Sequence, residues 1–319
     1  MDAYTKQLAN ISLSIGSISL KPLNPFKWAS GYYMPIYNDN RMLLSDKSYR
    51  EAVTSGFKRL ISKNNIYFDM IAGTSSAGIA PAASLANSFG KTLVIIQDNH
   101  FYYFDKKFRE KISSRINTNK SYDLVASTVP FSIIPGVLHA NERGLPFVYV
   151  RENKKDHGKK QQIEGLTETG LDTLLINFKN EEYADAAANA LEERGNKIVD
   201  VINLEPIFKP INVGGARILQ IEDLVSTGGS CIDEIKTYRN CNAVVEHCLS
   251  IFSYDFPETR KKFEDINCKV DSILTYDELI GIAKNLGYIS EEDFKLLSEW
   301  KHDPFNWGKK HGFPKEEKL

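Results

Sequence analysis

The chain has 319 residues, of which 42% are hydrophobic and 25% are charged, and its formal net charge at pH 7 is −1. This is the composition of a globular protein with one large α/β domain or two small ones. The charge gives no global reason to expect nucleic acid or a membrane surface as partner, and no apolar run approaches the roughly 18 to 20 residues that span a bilayer. No secretory signal is visible, and the four cysteines have no metal-ligand spacing, so we expect free thiols in a reducing cytoplasm.

Apolar β-branched runs alternate with amphipathic stretches along most of the chain. This alternation predicts an α/β fold with a mainly parallel sheet flanked by helices and ligands at the carboxyl ends of the strands. The predicted strands are Phe68–Ala72, Thr92–Ile96, Asp123–Ala126, Phe147–Val150, Thr173–Ile176, Ile198–Ile202, Arg217–Ile221 and Ala243–Phe252. The predicted helices are Ser48–Ser62, Gly78–Ser88, Ile134–Glu142, Glu181–Glu193 and Ser230–Tyr238, with capping signals at Thr275 and Ser290 for further helices at about 275–300.

One internal repeat relates Tyr67–His100 to Ser121–Lys154, which share ten identities in 34 positions at an offset of 54. Each copy reads strand, loop, helix, strand, but only the first copy keeps a glycine-rich turn. Chance convergence of two βαβ units is the alternative. The repeat favours a duplicated unit that adds strands to the sheet.

The segment Ile218–Ser230, ILQIEDLVSTGGS, runs from an apolar strand through two carboxylates, Glu222 and Asp223, into a short loop that opens a helix. Small residues in the loop Ser226–Ser230 let backbone N–H groups turn towards an anion, and the helix N-terminus adds partial positive charge. The two acids suit sugar hydroxyls or a metal bound to them. A plain strand-to-helix turn is the alternative, whereas a Walker loop is excluded because no lysine follows the glycines.

A basic stretch, Arg151–Gly165 (RENKKDHGKKQQIEG), directly follows the predicted strand Phe147–Val150. Its clustered cations suit a mobile loop that stabilises a multiply charged leaving group and then releases it. The alternatives are a solvated run of surface charge and a nucleic-acid patch.

Two more segments belong to the candidate site. Pro25–Asp46 is rich in aromatic and turn residues, which predicts that it packs on something flat. Ile71–Ile79, IAGTSSAGI, follows the first core strand, and its small residues allow the backbone to approach an anion. A tight strand-to-helix connection is the alternative for that turn.

Together these segments resemble the orotate phosphoribosyltransferases, a family of type I phosphoribosyltransferases. Ile218–Ser230 is similar to their signature for phosphoribosyl pyrophosphate (PRPP), Arg151–Gly165 to their catalytic loop, and Pro25–Asp46 to the hood that covers the base. The resemblance implies the type I phosphoribosyltransferase fold and transfer of ribose 5-phosphate from PRPP to orotate in pyrimidine biosynthesis, with Mg²⁺ as cofactor. It also implies a cytoplasmic homodimer that shares the basic loop between subunits, without nucleic-acid or membrane partners.

The resemblance also assigns roles to individual residues, with Mg²⁺ held mainly through PRPP. The implied catalytic residues are Arg151, Lys155, His157 and Asp223. The implied PRPP-binding residues are Arg151, Lys155, His157, Glu222, Asp223, Leu224, Val225, Ser226, Thr227, Gly228, Gly229 and Ser230. The implied orotate contacts are Tyr37 and Ser226, and the implied pyrophosphate turn is Gly73, Thr74, Ser75 and Ser76.

Some positions depart from the family pattern. Glu152 stands where the family commonly has a basic residue, and Tyr33 and Met34 replace a common Lys-Ser pair. Two stretches, about 91–144 and 167–215, read as insertions in a single domain that spans 1–319. A PRPP-binding regulator that has lost catalysis, and a phosphoribosyltransferase for another base, are the competing functions.

Overall fold

The computed structural model describes residues 2–28, 30–152, 162–165, 168–178, 181–205 and 210–315. None of the helices in these ranges has the length and apolar content that crossing a membrane requires. The strands, in chain order, are β1 Ile18–Leu20, β2 Phe26–Lys27, β3 Tyr33–Met34, β4 Ile36–Asn38, β5 Met70–Gly73, β6 Thr92–Gln97, β7 His100–Phe104, β8 Leu124–Thr128, β9 Phe147–Val150, β10 Ile163–Glu164, β11 Asp172–Asn177, β12 Lys197–Asn203, β13 Arg217–Val225, β14 Val244–Ser253 and β15 Lys269–Thr275. The helices are α1 Ala3–Ser14, α2 Lys47–Lys63, α3 Ile79–Phe89, α4 Lys106–Ser113, α5 Ile133–Arg143, α6 Glu181–Glu193, α7 Gly229–Asn240, α8 Pro257–Asp265, α9 Tyr276–Asn285, α10 Glu291–His302 and α11 Pro304–Lys310, with a 3-10 helix at Asn40–Ser45.

The first sheet contains six strands in the order β15-β14-β13-β5-β6-β7, all parallel except for the hairpin of β6 and β7. β5 and most of β14 are buried, as expected for strands covered by helices on both faces. β13 pairs with β5 on one side and with β14 on the other. The turns that follow β5 and β13 therefore meet at one edge of the sheet, where α/β proteins bind ligands.

A second sheet has the order β10-β9-β8-β11-β12 and is parallel except for the short strand β10. The sequence favoured a repeat that adds strands to one sheet, but the second copy instead begins this separate sheet. The reason is that β5 already has β13 and β6 as neighbours, while β7 covers the free edge of β6. The fold class remains as predicted, a mainly parallel α/β architecture with inserted strands.

The two sheets share one apolar core through α3 and α5, which pack on each other. Asn141 on α5 donates a hydrogen bond from Nδ2 to Ser84 Oγ on α3 over 3.1 Å. Arg50 on α2 donates to the Asn141 side chain over 2.6 Å and to the carbonyl of Leu145 over 2.8 Å. Helix α2 and both repeat copies therefore form one continuous body.

Residues 18–46 cover one end of the first sheet with two small antiparallel pairs, β1 with β4 and β2 with β3. The indole of Trp28 donates to the carbonyl of Ile36 over 3.1 Å, and its ring lies 5.9 Å from that of Tyr254 at the end of β14. Met34 is buried and accepts a hydrogen bond from the indole of Trp300 on α10. The predicted hood is thus anchored between the sheet and the C-terminal helices.

All eight strands and five helices expected from sequence are present, and the bounds of β9 and α6 agree with the prediction. The two predicted capping sites are also confirmed: Glu278 accepts from the backbone N–H of Thr275 over 3.0 Å, and Asp293 accepts from that of Ser290 over 3.1 Å.

Candidate active site

An open cleft of about 350 Å³ lies at the carboxyl ends of β5 and β13. Four separate parts of the chain contribute to its wall. These are the hood, the predicted pyrophosphate turn, the end of β9, and the segment that follows the centre of β13. The lining residues are Asn38, Asp39, Arg41, Thr74, Ser75, Ser76, Ala77, Arg151, Glu222, Asp223, Leu224 and Ser230.

The predicted phosphate loop connects β13 to α7 and is accessible, since Thr227, Gly229 and Ser230 are exposed. Gly228 has φ +75°, a left-handed conformation, and a Cβ there would lie 2.8 Å from a ring carbon of Phe263. The loop can therefore turn tightly under α7 only with glycine at this position. Helix α7 begins at Gly229, so its positive end lies at the loop, as an anion site requires.

Helix α8 supports the phosphate loop, and the sequence did not predict this helix. Thr259 Oγ1 donates to the carbonyl of Ser226 over 2.7 Å, and Lys262 Nζ donates to that of Thr227 over 3.3 Å. Lys262 thus adds a cation beside the loop. Sequence reasoning missed Lys262 because it belongs to no motif and lies on a helix that was not predicted.

The two acids at the end of β13 have different surroundings. Glu222 is only 7% exposed, and its Oε1 accepts from the backbone N–H of Asp223 over 2.9 Å. Burial raises the pKa of Glu222 well above its usual value, and the adjacent Asp223 carboxylate raises this pKa further. Asp223 is half-buried, and Asn40 of the hood donates to its backbone carbonyl over 2.7 Å. Asp223 is therefore the acid better able to act as a charged group in the cleft.

The predicted pyrophosphate turn follows β5, and at its first residue, Gly73, there is no space for a side chain. A Cβ on Gly73 would lie 2.6 Å from the carbonyl oxygen of Gly78. The backbone N–H of Thr74 donates to the carbonyl of Ile221 on β13 over 3.0 Å, which fixes this turn beside the acidic pair. The peptide between Ser75 and Ser76 is cis.

Two polar side chains, buried Gln220 and half-buried Glu234, hold the same turn in position. Glu234 on α7 accepts from the backbone N–H of Ser75 and from the side chain of Gln220, each over 3.1 Å. Gln220 also donates to Thr74 Oγ1 over 2.8 Å. Burial raises the pKa of Glu234 to about 7, although the hydrogen bonds from Ser75 and Gln220 act in the opposite direction. Sequence reasoning missed both residues because each lies inside a regular element.

Arg151 lies at the end of β9 with its side chain on the cleft, 27% exposed. Its Nε is 2.6 Å from Oε1 of Glu164, which is only 3% exposed. The other oxygen of Glu164 is 2.5 Å from Nη1 of Arg41, and Nε of Arg41 is 2.5 Å from Asp39. Burial disfavours the charged form of Arg41, but the carboxylates of Asp39 and Glu164 outweigh burial and raise its pKa. The network joins the hood to the base of the basic loop.

Other predicted residues lie near the cleft or outside the described ranges. Tyr37 is half-buried, with its ring 5.7 Å from that of Phe26 and next to the cleft residue Asn38. Ser226 Oγ accepts from the backbone N–H of Thr227 over 2.6 Å. The predicted catalytic residues Lys155 and His157 lie outside the described residues. Their roles, and the roles of Tyr37 and Ser226 towards orotate, stay predictions.

The described part of the cleft suits a hard divalent cation bound partly by a ligand. Carboxylate oxygens are ligands that Mg²⁺ prefers, and Asp223 presents one on the cleft wall. Within the described ranges, no cation lies within ion-pair distance of the Asp223 side chain, and no group of three His, Cys, Asp or Glu residues could hold a metal by itself. The residues therefore fit an ion that brings most of its ligands from a substrate.

Comparison with known proteins agrees with this architecture. No protein-family model matches the chain. By sequence it is similar to the orotate phosphoribosyltransferase of Listeria innocua, with 29% identity over 304 residues that cover 95% of this chain and 98% of the relative. It is also similar to the orotate phosphoribosyltransferase of Enterococcus faecalis, with 28% identity over 309 residues that cover 97% of this chain and 100% of the relative.

A solved structure gives the same result for the fold. The chain is similar to the UMP synthase of Leishmania donovani with a TM-score of 0.50 and 13% sequence identity, over 93% of this chain and 42% of that one. By its sequence and its fold, the chain is therefore a relative of the orotate phosphoribosyltransferases with a type I phosphoribosyltransferase fold.

Proposed function

We propose that the chain is an orotate phosphoribosyltransferase, which transfers ribose 5-phosphate from PRPP to orotate and releases pyrophosphate. The observation that carries this proposal is the cleft itself. It combines an accessible phosphate loop, an acid beside that loop, a backbone turn and an arginine from distant parts of the chain. The curated relatives of that name align along nearly the whole chain.

In the proposed binding mode, each part of PRPP contacts a different one of these elements. Residues 226–230 hold the 5-phosphate through backbone N–H groups at the positive end of α7. Leu224 and Val225 complete that contact, while Glu222 and Asp223 face the ribose hydroxyls. The pyrophosphate lies against Thr74, Ser75 and Ser76, where Gly73 allows close approach of the backbone. Orotate binds between Ser226 and the hood residue Tyr37.

The proposed reaction breaks the bond from the anomeric carbon to a pyrophosphate oxygen and forms a bond from a ring nitrogen of orotate to that carbon. The nitrogen loses its proton to solvent, and the ribose carbon carries positive charge in the transition state. Asp223 stabilises this charge through the ribose hydroxyls, while Arg151, Lys155 and His157 offset the charge on the departing pyrophosphate. Positioning and electrostatics thus carry the catalysis, without a covalent enzyme intermediate.

When bound, Mg²⁺ would neutralise charge on the pyrophosphate and so make it a better leaving group. Asp223 is the cleft carboxylate that would help to hold this ion, and oxygens of PRPP would supply its other ligands. The cytoplasm is the proposed compartment, and the four free cysteines are consistent with a reducing environment.

The assembly is a separate part of the proposal. The family resemblance implies a homodimer whose subunits share the basic loop. An arrangement within one chain is the other possibility, and the position of Arg151 bears on the choice.

The direct test follows orotate absorbance with PRPP and Mg²⁺. We expect turnover by the wild type and losses of about 100-fold or more in Asp223→Asn and Lys155→Ala. Asp233→Asn and Lys261→Ala are the matched controls, because these residues lie on α7 and α8 outside the cleft lining. They should keep wild-type rates.

Two outcomes would replace the proposal. Wild-type PRPP binding without turnover of any base would favour a regulator. Turnover of hypoxanthine or uracil but not of orotate would assign the enzyme to another base.

A further inference from the structure

The two sheets contain the same arrangement of six elements. We name β5, α3, β6, β13, α7 and β14 unit A, and β8, α5, β9, β11, α6 and β12 unit B. The parallel strands of unit A have the order β14-β13-β5-β6, and those of unit B have the order β12-β11-β8-β9. The sequence repeat covers only the first three elements of each unit. The structure extends the correspondence to the other three.

The registers of the two units agree position by position. In unit A, Met70 pairs with Ile218, and in unit B the equivalent Leu124 pairs with Thr173. Helix α3 spans Ile79–Phe89 and α5 spans Ile133–Arg143, which is the repeat offset of 54 at both ends. Two βαβ units that converged by chance have no reason to share order, direction and register together. Unit B is therefore a second copy of the unit that carries the phosphate loop.

The place in unit B that corresponds to the active site has lost its charged groups. From the strand registers, Asn177 and Phe178 stand where unit A has Glu222 and Asp223. Asn177 is fully buried, and its side-chain oxygen accepts a hydrogen bond over 2.9 Å from Thr128, the equivalent of Thr74. Asparagine and phenylalanine cannot supply ribose-facing acids, and this asparagine is already used within the core.

A tyrosine closes the same place in unit B. Tyr183 on α6 is only 3% exposed, donates to the carbonyl of Val150 over 2.9 Å and accepts from the backbone N–H of Val129 over 3.4 Å. These bonds tie α6 over the turn that follows β8. Unit B thus keeps the strands and helices of unit A. Its own side chains occupy the position that corresponds to the cleft of unit A.

Unit B nevertheless contributes to the cleft of unit A. Arg151, at the end of β9, lines the cleft that unit A and the hood form in the same chain. Its backbone N–H donates to the carbonyl of Gln162 over 2.8 Å, which fixes the two ends of the basic loop side by side. Glu164 on β10 then holds Arg151 and the hood residue Arg41 together. Both described ends of the basic loop are therefore anchored at the site of their own chain.

We infer that unit B is a degenerate copy that acts as a built-in partner for unit A. It supplies Arg151 in cis, so one chain contains one complete active site and needs no residue from a second copy. This inference rests on the proposed function and replaces the sharing of the loop between two subunits.

A complementation experiment separates the two arrangements. Arg151→Ala removes the contribution of unit B, and Asp223→Asn removes that of unit A. The two variants are co-expressed with different affinity tags, and material that carries both tags is isolated alongside each single variant. Orotate turnover and PRPP affinity by calorimetry are measured on every sample.

The inference predicts no complementation. Each variant alone should lose about 100-fold or more in rate, and any sample with both tags should stay at that level. Failure to isolate doubly tagged material while the wild type is active supports the same conclusion, because the site is then complete in one chain. Asp223→Asn also tests whether unit B has a site of its own, since half of the wild-type rate would remain if it did.

Recovery of about half of the wild-type rate or binding capacity in the doubly tagged sample would overturn the inference. That fraction is expected because every doubly tagged dimer is mixed and has one of its two sites intact. In that case the proposed enzyme activity would stand and the loop would be shared between chains. A wild type that neither binds PRPP nor turns over orotate would instead reject the proposed function, and this inference with it.

Discussion

Glu234 provides the sharpest prediction, because its carboxyl group couples the predicted pyrophosphate turn to pH. Burial raises its pKa from the usual 4.5 to about 7, and its two oxygens accept from Ser75 and Gln220. The folded protein therefore keeps a proton that the unfolded chain releases between pH 4.5 and about 7. This contribution to stability is complete below pH 4.5 and is lost as the pH rises through 7.

The size of the effect follows from the pKa shift. One pKa unit corresponds to about 1.4 kcal/mol, so ionisation of Glu234 lowers the free energy of unfolding by about 3 kcal/mol above pH 7. Glu234→Gln removes this ionisation but gives up one acceptor, at a cost of about 1 kcal/mol. We expect the variant to be about 1 kcal/mol less stable than wild type at pH 5 and about 2 kcal/mol more stable at pH 8.

The measurement is urea unfolding of both proteins at pH 5, 6, 7 and 8, with Glu192→Gln as control. Glu192 is an exposed glutamate on α6, so this control removes one negative charge without changing Glu234 or Gln220. Curves for wild type and Glu234→Gln that stay parallel across the range would refute the reasoning. An identical crossing in the Glu192→Gln control would do so as well.

Three further predictions concern the loop, the ionic network and the missed cation. Gly228→Ala should lower the melting temperature and weaken PRPP binding, because a left-handed alanine costs about 1–2 kcal/mol and its Cβ meets Phe263. Gly229→Ala is the control for the melting temperature, since no protein atom lies within 4 Å of its Cβ position, and equal losses of melting temperature in both variants would contradict this account. Glu164→Gln should lower the free energy of unfolding by about 3 kcal/mol, because it leaves two guanidinium groups without their shared carboxylate. A double-mutant cycle with Arg151→Met measures the coupling, and strictly additive effects would argue against the network. Lys262→Ala should weaken PRPP binding severalfold, and more at low salt, because it removes a charge beside the loop. Lys261→Ala serves as its control in a binding titration at two salt concentrations, where equal losses in the two variants would count against a specific role.

The sequence alone was sufficient to predict the elements that have a strong local pattern of residues. Strands such as β9 are short apolar runs bounded by polar residues, and α6 begins with two glutamates and contains a run of alanines. The segment from Glu222 to Ser230 was also recognisable, because two acids before a glycine-rich turn are uncommon together. These signals lie within a dozen residues, so no knowledge of the fold was needed to read them.

The remaining features depend on contacts between distant residues. The hairpin strand β7 and helix α8 carry no clear periodic pattern and are defined by what they cover, the edge of β6 and the phosphate loop. Gln220 and Glu234 look like ordinary strand and helix positions in the sequence. Their role is visible only in the fold, where β13 and α7 bring them next to the turn that contains Ser75. The separation into two sheets was equally hidden, since it depends on which strand edges are free.

The charges of the described cleft constrain how a polyanion can bind there. Arg41 and Arg151 are both engaged by carboxylates, Arg41 with Asp39 and Glu164, and Arg151 with Glu164. A pyrophosphate group that approaches Arg151 must therefore compete with a carboxylate that is 3% exposed and cannot move away easily. Because Arg151 is 27% exposed, its guanidinium can keep Glu164 on one side and present its outward N–H groups to a ligand. In this arrangement Glu164 fixes the position of Arg151 but also offsets the positive charge of Arg151. In the proposed function, the additional positive charge for PRPP would then come from the predicted cations of the basic loop, from Lys262 and from the proposed Mg²⁺.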